Sequence, residues 1–259
     1  MKKSILSSLE ENAERVFLYE ENRIWTYREL KEFIIKFSYY IRANNIKSVV
    51  ISLPKSFYTY AIIITCYLTG VTYCVNNEND PKQRKNFIYL QIQPDLIIGN
   101  IDKNEYYNFT NLEDLIIALK VFQGQSDICT DYTEIIYISF TSGSTGIPKG
   151  CRITTEALEK HIKYDIELFK FTCEDIIGQF VPLYFDMSVL DIYASIIVGC
   201  AIVKIDGGDK FRFGKIIQKY KITFLNIVPQ VVDIMLKAEE LTREVLRSVR
   251  MIRFGGDKV

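Results

Sequence analysis

Apolar residues recur along this chain at two spacings, one of helices and one of buried strands. Thr26 and Glu29 form a T-x-x-E capping box, and Leu30, Phe33, Ile34, Phe37 and Ile41 follow at helical spacing. This predicts a helix over 27–42. Residues 48–53 (SVVISL) read as a buried strand. A helix is predicted from near Pro54, a strand after Gly70, a helix from Pro81 to Leu90 and a strand over 95–98. Farther along, 134–140 (EIIYISF), 201–204, 223–228 and 249–254 read as strands. Helices are predicted from about Thr155 and over 187–198, 210–220 and 230–237.

Strands alternating with helices imply an α/β fold with largely parallel sheets flanked by helices. No internal repeat, low-complexity run or linker is apparent, and a division into two subdomains is expected near 120–135. Residues 56–75 carry no charge and are long enough to suggest a membrane span. Four Thr, four Tyr and Gly70 interrupt that stretch, and Pro54 precedes it, which favours a buried helix followed by a strand.

Composition narrows the function classes. Hydrophobic residues make up 48% and charged residues 25%, as in globular proteins. With Lys plus Arg and Asp plus Glu both at 32, broad neutralisation of a nucleic-acid backbone is disfavoured. The six cysteines include no C-x-x-C pair and His161 is the single histidine, so a His/Cys metal site is not expected. Scattered cysteines read as reduced, buried thiols of a cytoplasmic protein. Met1-Lys2-Lys3 is followed by Glu10, Glu11, Glu14 and Arg15 and not by an apolar run, which argues against a secretory signal. His161 stands at helical spacing with Leu158 and Tyr164 and reads as a solvated or packed helix residue.

The densest chemical signal is residues 137–150, YISFTSGSTGIPKG. Glycines let a backbone approach an anion closely, Ser and Thr hydroxyls donate to phosphate oxygens, and Lys149 adds a point charge. Walker A spacing and a G-x-S-x-G elbow are both absent, and small polar residues of this kind also make plain turns. The full string T-S-G-S-T-G-x-P-K-G after an aromatic strand end resembles the phosphate loop of the adenylate-forming superfamily. The resemblance implies that Thr141, Ser142, Gly143, Ser144, Thr145, Gly146 and Lys149 hold the phosphates of ATP, with Mg²⁺ as the accompanying ion.

A second segment, PLYFDMSVLDIY over 182–193, marks the branch. By spacing alone, Ser188 and Asp191 read as a capping box at a helix start. The F-D-x-S pattern resembles the amino-acid-activating branch: D-alanine–carrier protein ligases and the adenylation domains of nonribosomal peptide synthetases. There the resemblance implies a buried Asp186 carboxylate paired with the substrate ammonium, while Phe185 stands where acyl-CoA synthetases usually carry histidine. Met187, Leu190, Asn226, Arg253 and Gly255 are implied to line the amino-acid pocket, and Arg253 could receive an acidic side chain. Trp25–Leu30, Asn226–Pro229 and the Gly-Gly-Asp turn at 255–257 resemble further family segments. The family's D-alanine ligases tend to carry cysteine at Gly255, a departure from that subgroup.

The resemblance implies activation of an amino acid as its aminoacyl-adenylate, then transfer to the phosphopantetheine thiol of a carrier protein. It also implies an anion cradle at Thr141 and an acidic anchor at Asp186 beside one cleft. The family's G-P-T-E segment and late catalytic lysine are missing from the 259 residues. The chain is therefore expected to be an incomplete N-terminal adenylation domain, inactive or weak alone. A C-terminal half supplied by another chain, a non-catalytic binding module and an acyl-CoA-type ligase are the alternative expectations. Neither nucleic acid nor membrane is an expected partner.

Overall fold

Strand and helix alternate through the computed structural model, which describes residues 1–99, 108–141, 148–206, 208 and 212–256. The first elements are α1 (Lys2–Glu11), β1 (Val16–Glu20), β2 (Arg23–Thr26), α2 (Tyr27–Ala43), β3 (Ser48–Ser52), α3 (Phe57–Thr69) and β4 (Thr72–Val75). Next come α4 (Lys82–Ile92), β5 (Leu96–Gly99), β6 (Phe109–Thr110), α5 (Leu112–Leu119), β7 (Ile135–Thr141), β8 (Lys149–Thr154) and α6 (Thr155–Phe169). The rest are β9 (Ile176–Gln179), α7 (Ser188–Val198), β10 (Ala201–Lys204), α8 (Phe213–Tyr220), β11 (Phe224–Ile227), α9 (Pro229–Lys237) and β12 (Met251–Phe254).

These elements form two units, each built on one six-stranded sheet flanked by helices. The first unit holds residues 1–30 and 161–259, with strand order β12-β11-β9-β10-β1-β2. The second holds residues 31–160, with order β6-β5-β3-β4-β7-β8. In each sheet all neighbours are parallel except the last pair, β1–β2 and β7–β8. The chain thus divides at 30/31 and 160/161, and the division expected near 120–135 is corrected. Residues 120–135 stay inside the second unit because β7, just after them, pairs with β4 of the same sheet.

Local chemistry explains the predicted elements. The Thr26 amide donates to Glu29 Oε2 (2.8 Å), and the Glu29 amide donates to Thr26 Oγ1 (3.3 Å), so both halves of the capping box are made. Leu30, Phe33, Ile34, Phe37 and Ile41 are all buried on α2. The uncharged stretch becomes α3 and β4, separated by Gly70 at φ +68°. A Cβ on Gly70 would stand 2.6 Å from the backbone nitrogen of Tyr132, so both conformation and space require glycine there. Helix α3 is buried nearly all round, as its uniformly apolar sequence demands. No helix among the described residues is long and apolar enough to cross a membrane.

Several elements depart from the pattern reading. Strand β8 is a hairpin partner of β7 that carries Lys149-Gly150-Cys151-Arg152, with little alternation to announce it. The short pieces α1, β1, β2, β6, α5 and β9 also went unpredicted. Cys66, Cys74 and Cys200 are buried thiols as expected, and burial pushes Cys74 up to about 12. Cys129 and Cys173 are half-buried and Cys151 is exposed on β8, which corrects the expectation for those three.

At the opposite edge of the first sheet from its strand C-termini, Asp175 fixes the start of β9. It is buried, and its two oxygens accept from Arg250 Nε (2.7 Å) and Nη2 (2.8 Å). The Thr223 hydroxyl donates to it at 2.7 Å and the Thr172 amide at 2.9 Å. Burial pushes the Asp175 carboxyl up, but Arg250, Thr223 and the Thr172 amide together hold it below the ordinary carboxylate value.

Thr26→Ala or Glu29→Ala should each lower stability by about 1 kcal/mol in urea unfolding, the usual cost of a lost cap. Asp175→Asn should cost about 3 kcal/mol at pH 7, as expected when one member of a mostly buried ion pair is removed. Because the folded-state value is depressed, this stability is present above the unfolded value of about 3.9 and is lost as pH falls through the lower folded value. The gap between Asp175→Asn and the parent should therefore close in acid; a gap independent of pH would contradict the assignment.

Candidate functional site

The segment that resembles a phosphate loop belongs to the second unit. Strand β7 leads into it and β8 leads out, with Thr141 opposite Lys149 in the antiparallel register. Phe140, just before the loop, packs against the core cluster of Val50, Cys74, Ile88, Tyr89 and Ile97. Gly150 lies across from it, where a Cβ would come within 3.1 Å of the Phe140 ring. The aromatic strand end and the trailing glycine of the string therefore anchor the loop's base. Thr141 and Lys149 are exposed at that base. Ser142, Gly143, Ser144, Thr145 and Gly146 lie outside the described residues.

The residues implied for the amino acid belong to the first unit. Pro182 to Met187 make a turn ahead of α7, with the Phe185 amide donating to Pro182 O (3.0 Å) and the Val189 amide to Asp186 O (3.1 Å). Phe185 and Asp186 are both exposed in this turn. The expectation of a buried Asp186 carboxylate is therefore corrected: a tight turn at the sheet's edge holds it outward. The capping-box reading of Ser188 and Asp191 is corrected as well. The Ser188 hydroxyl donates to Phe185 O (2.7 Å), and Asp191 is fully buried one turn into α7.

The parallel pairing of β11 with β12 places Asn226 directly opposite Arg253 near the C-terminal ends of both strands. In open α/β sheets that edge is where ligands bind. Asn226 is fully buried; its Nδ2 donates to Met187 O (2.8 Å) and to Asp191 Oδ1 (3.3 Å). Arg253 Nη1 donates to Asn226 Oδ1 at 3.4 Å. The Met187 side chain lies over Gly255 and Gly256, where an added Cβ would meet its thioether group at 3.1 Å and 3.0 Å. Met187, Asn226, Arg253 and Gly255 are thus brought together, next to the turn that bears Asp186. Leu190 is fully buried on α7.

Two acidic residues beside this cluster were not read as site residues from the sequence. Asp191 supports Asn226 from below. Asp165 on α6 is buried, with Oδ2 at 3.9 Å from Arg253 Nη2 and 3.5 Å from His161 Nε2. A charge at a core position of an otherwise apolar helix (SVLDIYASIIV) was the available signal for Asp191. For Asp165 the signal was only its i,i+4 spacing from His161, which half-exposed helix residues commonly show. His161 itself is about half exposed, in keeping with a solvated helix residue.

Comparison with known proteins places these features in a family. The chain is 26% identical over 258 residues to the D-alanine--D-alanyl carrier protein ligase of Staphylococcus epidermidis, covering 96% of this chain and 52% of that protein. It is 36% identical over 133 residues to phenyloxazoline synthase MbtB of Mycobacterium tuberculosis, covering 50% of this chain and 9% of that protein. The chain thus spans about half of the first relative and a small part of the second. Among solved structures, the Vibrio cholerae adenylation domain AlmE in complex with glycyl-adenosine-5'-phosphate matches with TM-score 0.80 and 22% identity, covering 96% of this chain and 53% of that one. The sequence profile of the family described as "AMP-binding enzyme" matches residues 7–259, and the chain belongs to that family.

Proposed function

We propose that this chain contributes to ATP-dependent activation of an amino acid as its aminoacyl-adenylate, for loading onto the thiol of a carrier protein. The observation that carries this reading is the hydrogen bond from Asn226 to Met187 O, beside Asp186. It ties the ligand-binding edge of a parallel sheet to a turn that presents a carboxylate. A carboxylate there suits an ammonium group, and the small-residue loop with Lys149 suits phosphates.

In the reaction, an oxygen of the amino-acid carboxylate attacks the α-phosphorus of ATP. The bond between that phosphorus and the bridging oxygen breaks, and pyrophosphate leaves. A carrier thiol then attacks the acyl carbon and AMP departs. Thr141, Lys149 and the residues between them hold and neutralise the departing phosphates. Asp186 orients the substrate through its amine. Mg²⁺ commonly binds through one or two carboxylates together with substrate phosphates. Mg²⁺ would therefore enter on the phosphates of ATP. A cytoplasmic setting, where ATP and reduced thiols are available, belongs to the same proposal.

The exposed position of Asp186 sets the expected size of its contribution. An ion pair in water is worth about 1 kcal/mol or less, far below a desolvated pair. Asp186→Asn should weaken binding of an aminoacyl-sulfamoyladenosine by roughly tenfold, about 1.4 kcal/mol, once the ligand itself excludes water. The same substitution should leave binding of the des-amino analogue unchanged in calorimetry. Equal losses for both analogues would remove Asp186 from amine recognition, and tighter binding of the des-amino compound by the parent chain would favour an acyl-CoA-type ligase. Lys149→Ala should weaken ATP by a similar factor without altering the preference for an amine.

A further inference from the structure

Arg253 is a cation at the candidate pocket, but it does not act alone. Its single hydrogen bond among the described residues is the 3.4 Å contact with Asn226, and its side chain is one quarter exposed. Behind it stands Asp165, whose carboxylate is buried and whose Oδ2 makes no hydrogen bond among the described residues. At 3.9 Å from Nη2, that oxygen is near enough to compensate much of the guanidinium charge, because the pair is only partly screened. The His161 imidazole also faces Asp165, from the same helix at 3.5 Å, and is about half exposed, so water screens it more. Asp191 adds a second buried carboxylate, bonded to Asn226. Asp165 therefore faces the guanidinium directly, while Asp191 is linked to it only through Asn226.

We infer that Asp165 is a positioning residue that tunes Arg253, so that the site selects an amino acid with an uncharged hydrogen-bond-accepting side chain and disfavours an acidic one. The inference rests on the proposed amino-acid activation. An acidic side chain would bring a second carboxylate to a guanidinium that Asp165 already faces, where like charges repel. A carboxamide or hydroxyl oxygen can accept from the unsaturated donors of Arg253 without adding charge. The Asn226 contact fixes where those donors point, and Asn226 in turn is held by Met187 O.

The test is calorimetric titration of the full chain with matched sulfamoyladenosine probes carrying aspartyl or asparaginyl, and glutamyl or glutaminyl, groups. The parent should bind each amide at least tenfold more tightly than its acid counterpart. Asp165→Asn removes the compensating charge and should shift that ratio at least tenfold toward the acids. Arg253→Gln in the Asp165→Asn background should cancel the shift, and Asp165→Glu should keep the parental preference. A purely structural Asp165 would change all four affinities together and leave the ratios alone. An acid preference in the parent, or a ratio unmoved in a folded Asp165→Asn protein, overturns the inference while sparing amino-acid activation. Failure of every aminoacyl probe to bind overturns both. The parental preference is decisive even where Asp165→Asn does not fold.

Discussion

Parallel strands present apolar side chains on both faces and release their connections at a common edge. That constraint organises this protein. Each sheet needs helices to cover its faces, so the chain must cross from the end of one strand to the start of the next. The crossovers gather loops from distant parts of the sequence at the strands' C-terminal ends. Asn226 and Arg253 meet there because β11 and β12 run in register, although 26 residues separate the two positions in between. The opposite edge carries the Asp175–Arg250 pair instead, where a tightly bonded ion pair fixes strand starts.

The two ends of the first sheet thus use charge differently. Asp175 has Arg250 in a two-pronged contact with both distances below 3 Å, plus a hydroxyl and an amide. That saturation suits a structural role. Arg253 and Asp165 are looser, and Arg253 keeps donors in reserve. A cluster held together yet incompletely bonded is what a site needs if a ligand is to complete it. The turn at 182–187 is held by its own backbone, by the Ser188 hydroxyl and by Asn226, so the position of Asp186 depends in part on a side chain from β11.

Much of this architecture was legible in the sequence. The helix beginning at Tyr27 announced itself through Thr26, Glu29 and an apolar stripe, and its cap is made as the residue types require. The long runs that became α3, α6 and α7 were also clear, because burial imposes periodicity over many residues. Strand β8 was hidden for the opposite reason: it is mostly exposed, so no apolar alternation was needed, and β9 is only 4 residues long with Gly178 and Gln179 at its end. At the candidate site, Met187, Asn226, Arg253 and Gly255 came from motif resemblance and do converge. Spacing misread Ser188 and Asp191 as a cap, since the pattern S-x-x-D is shared by a surface helix start and by a buried carboxylate. Burial of Asp165 and exposure of Asp186 are set by tertiary packing, which local sequence does not encode.

The proposed function has Lys149 serve the phosphates and Asp186 the amine of one adenylation reaction. Exchange of labelled pyrophosphate into ATP, measured across a panel of amino acids on a protein containing this chain, tests it most directly. The proposed reaction calls for exchange that requires an amino acid, weakens when Lys149 is replaced by alanine and loses its amine dependence when Asp186 is replaced by asparagine. Exchange driven equally by carboxylic acids lacking an amine, or indifferent to both substitutions, would contradict it.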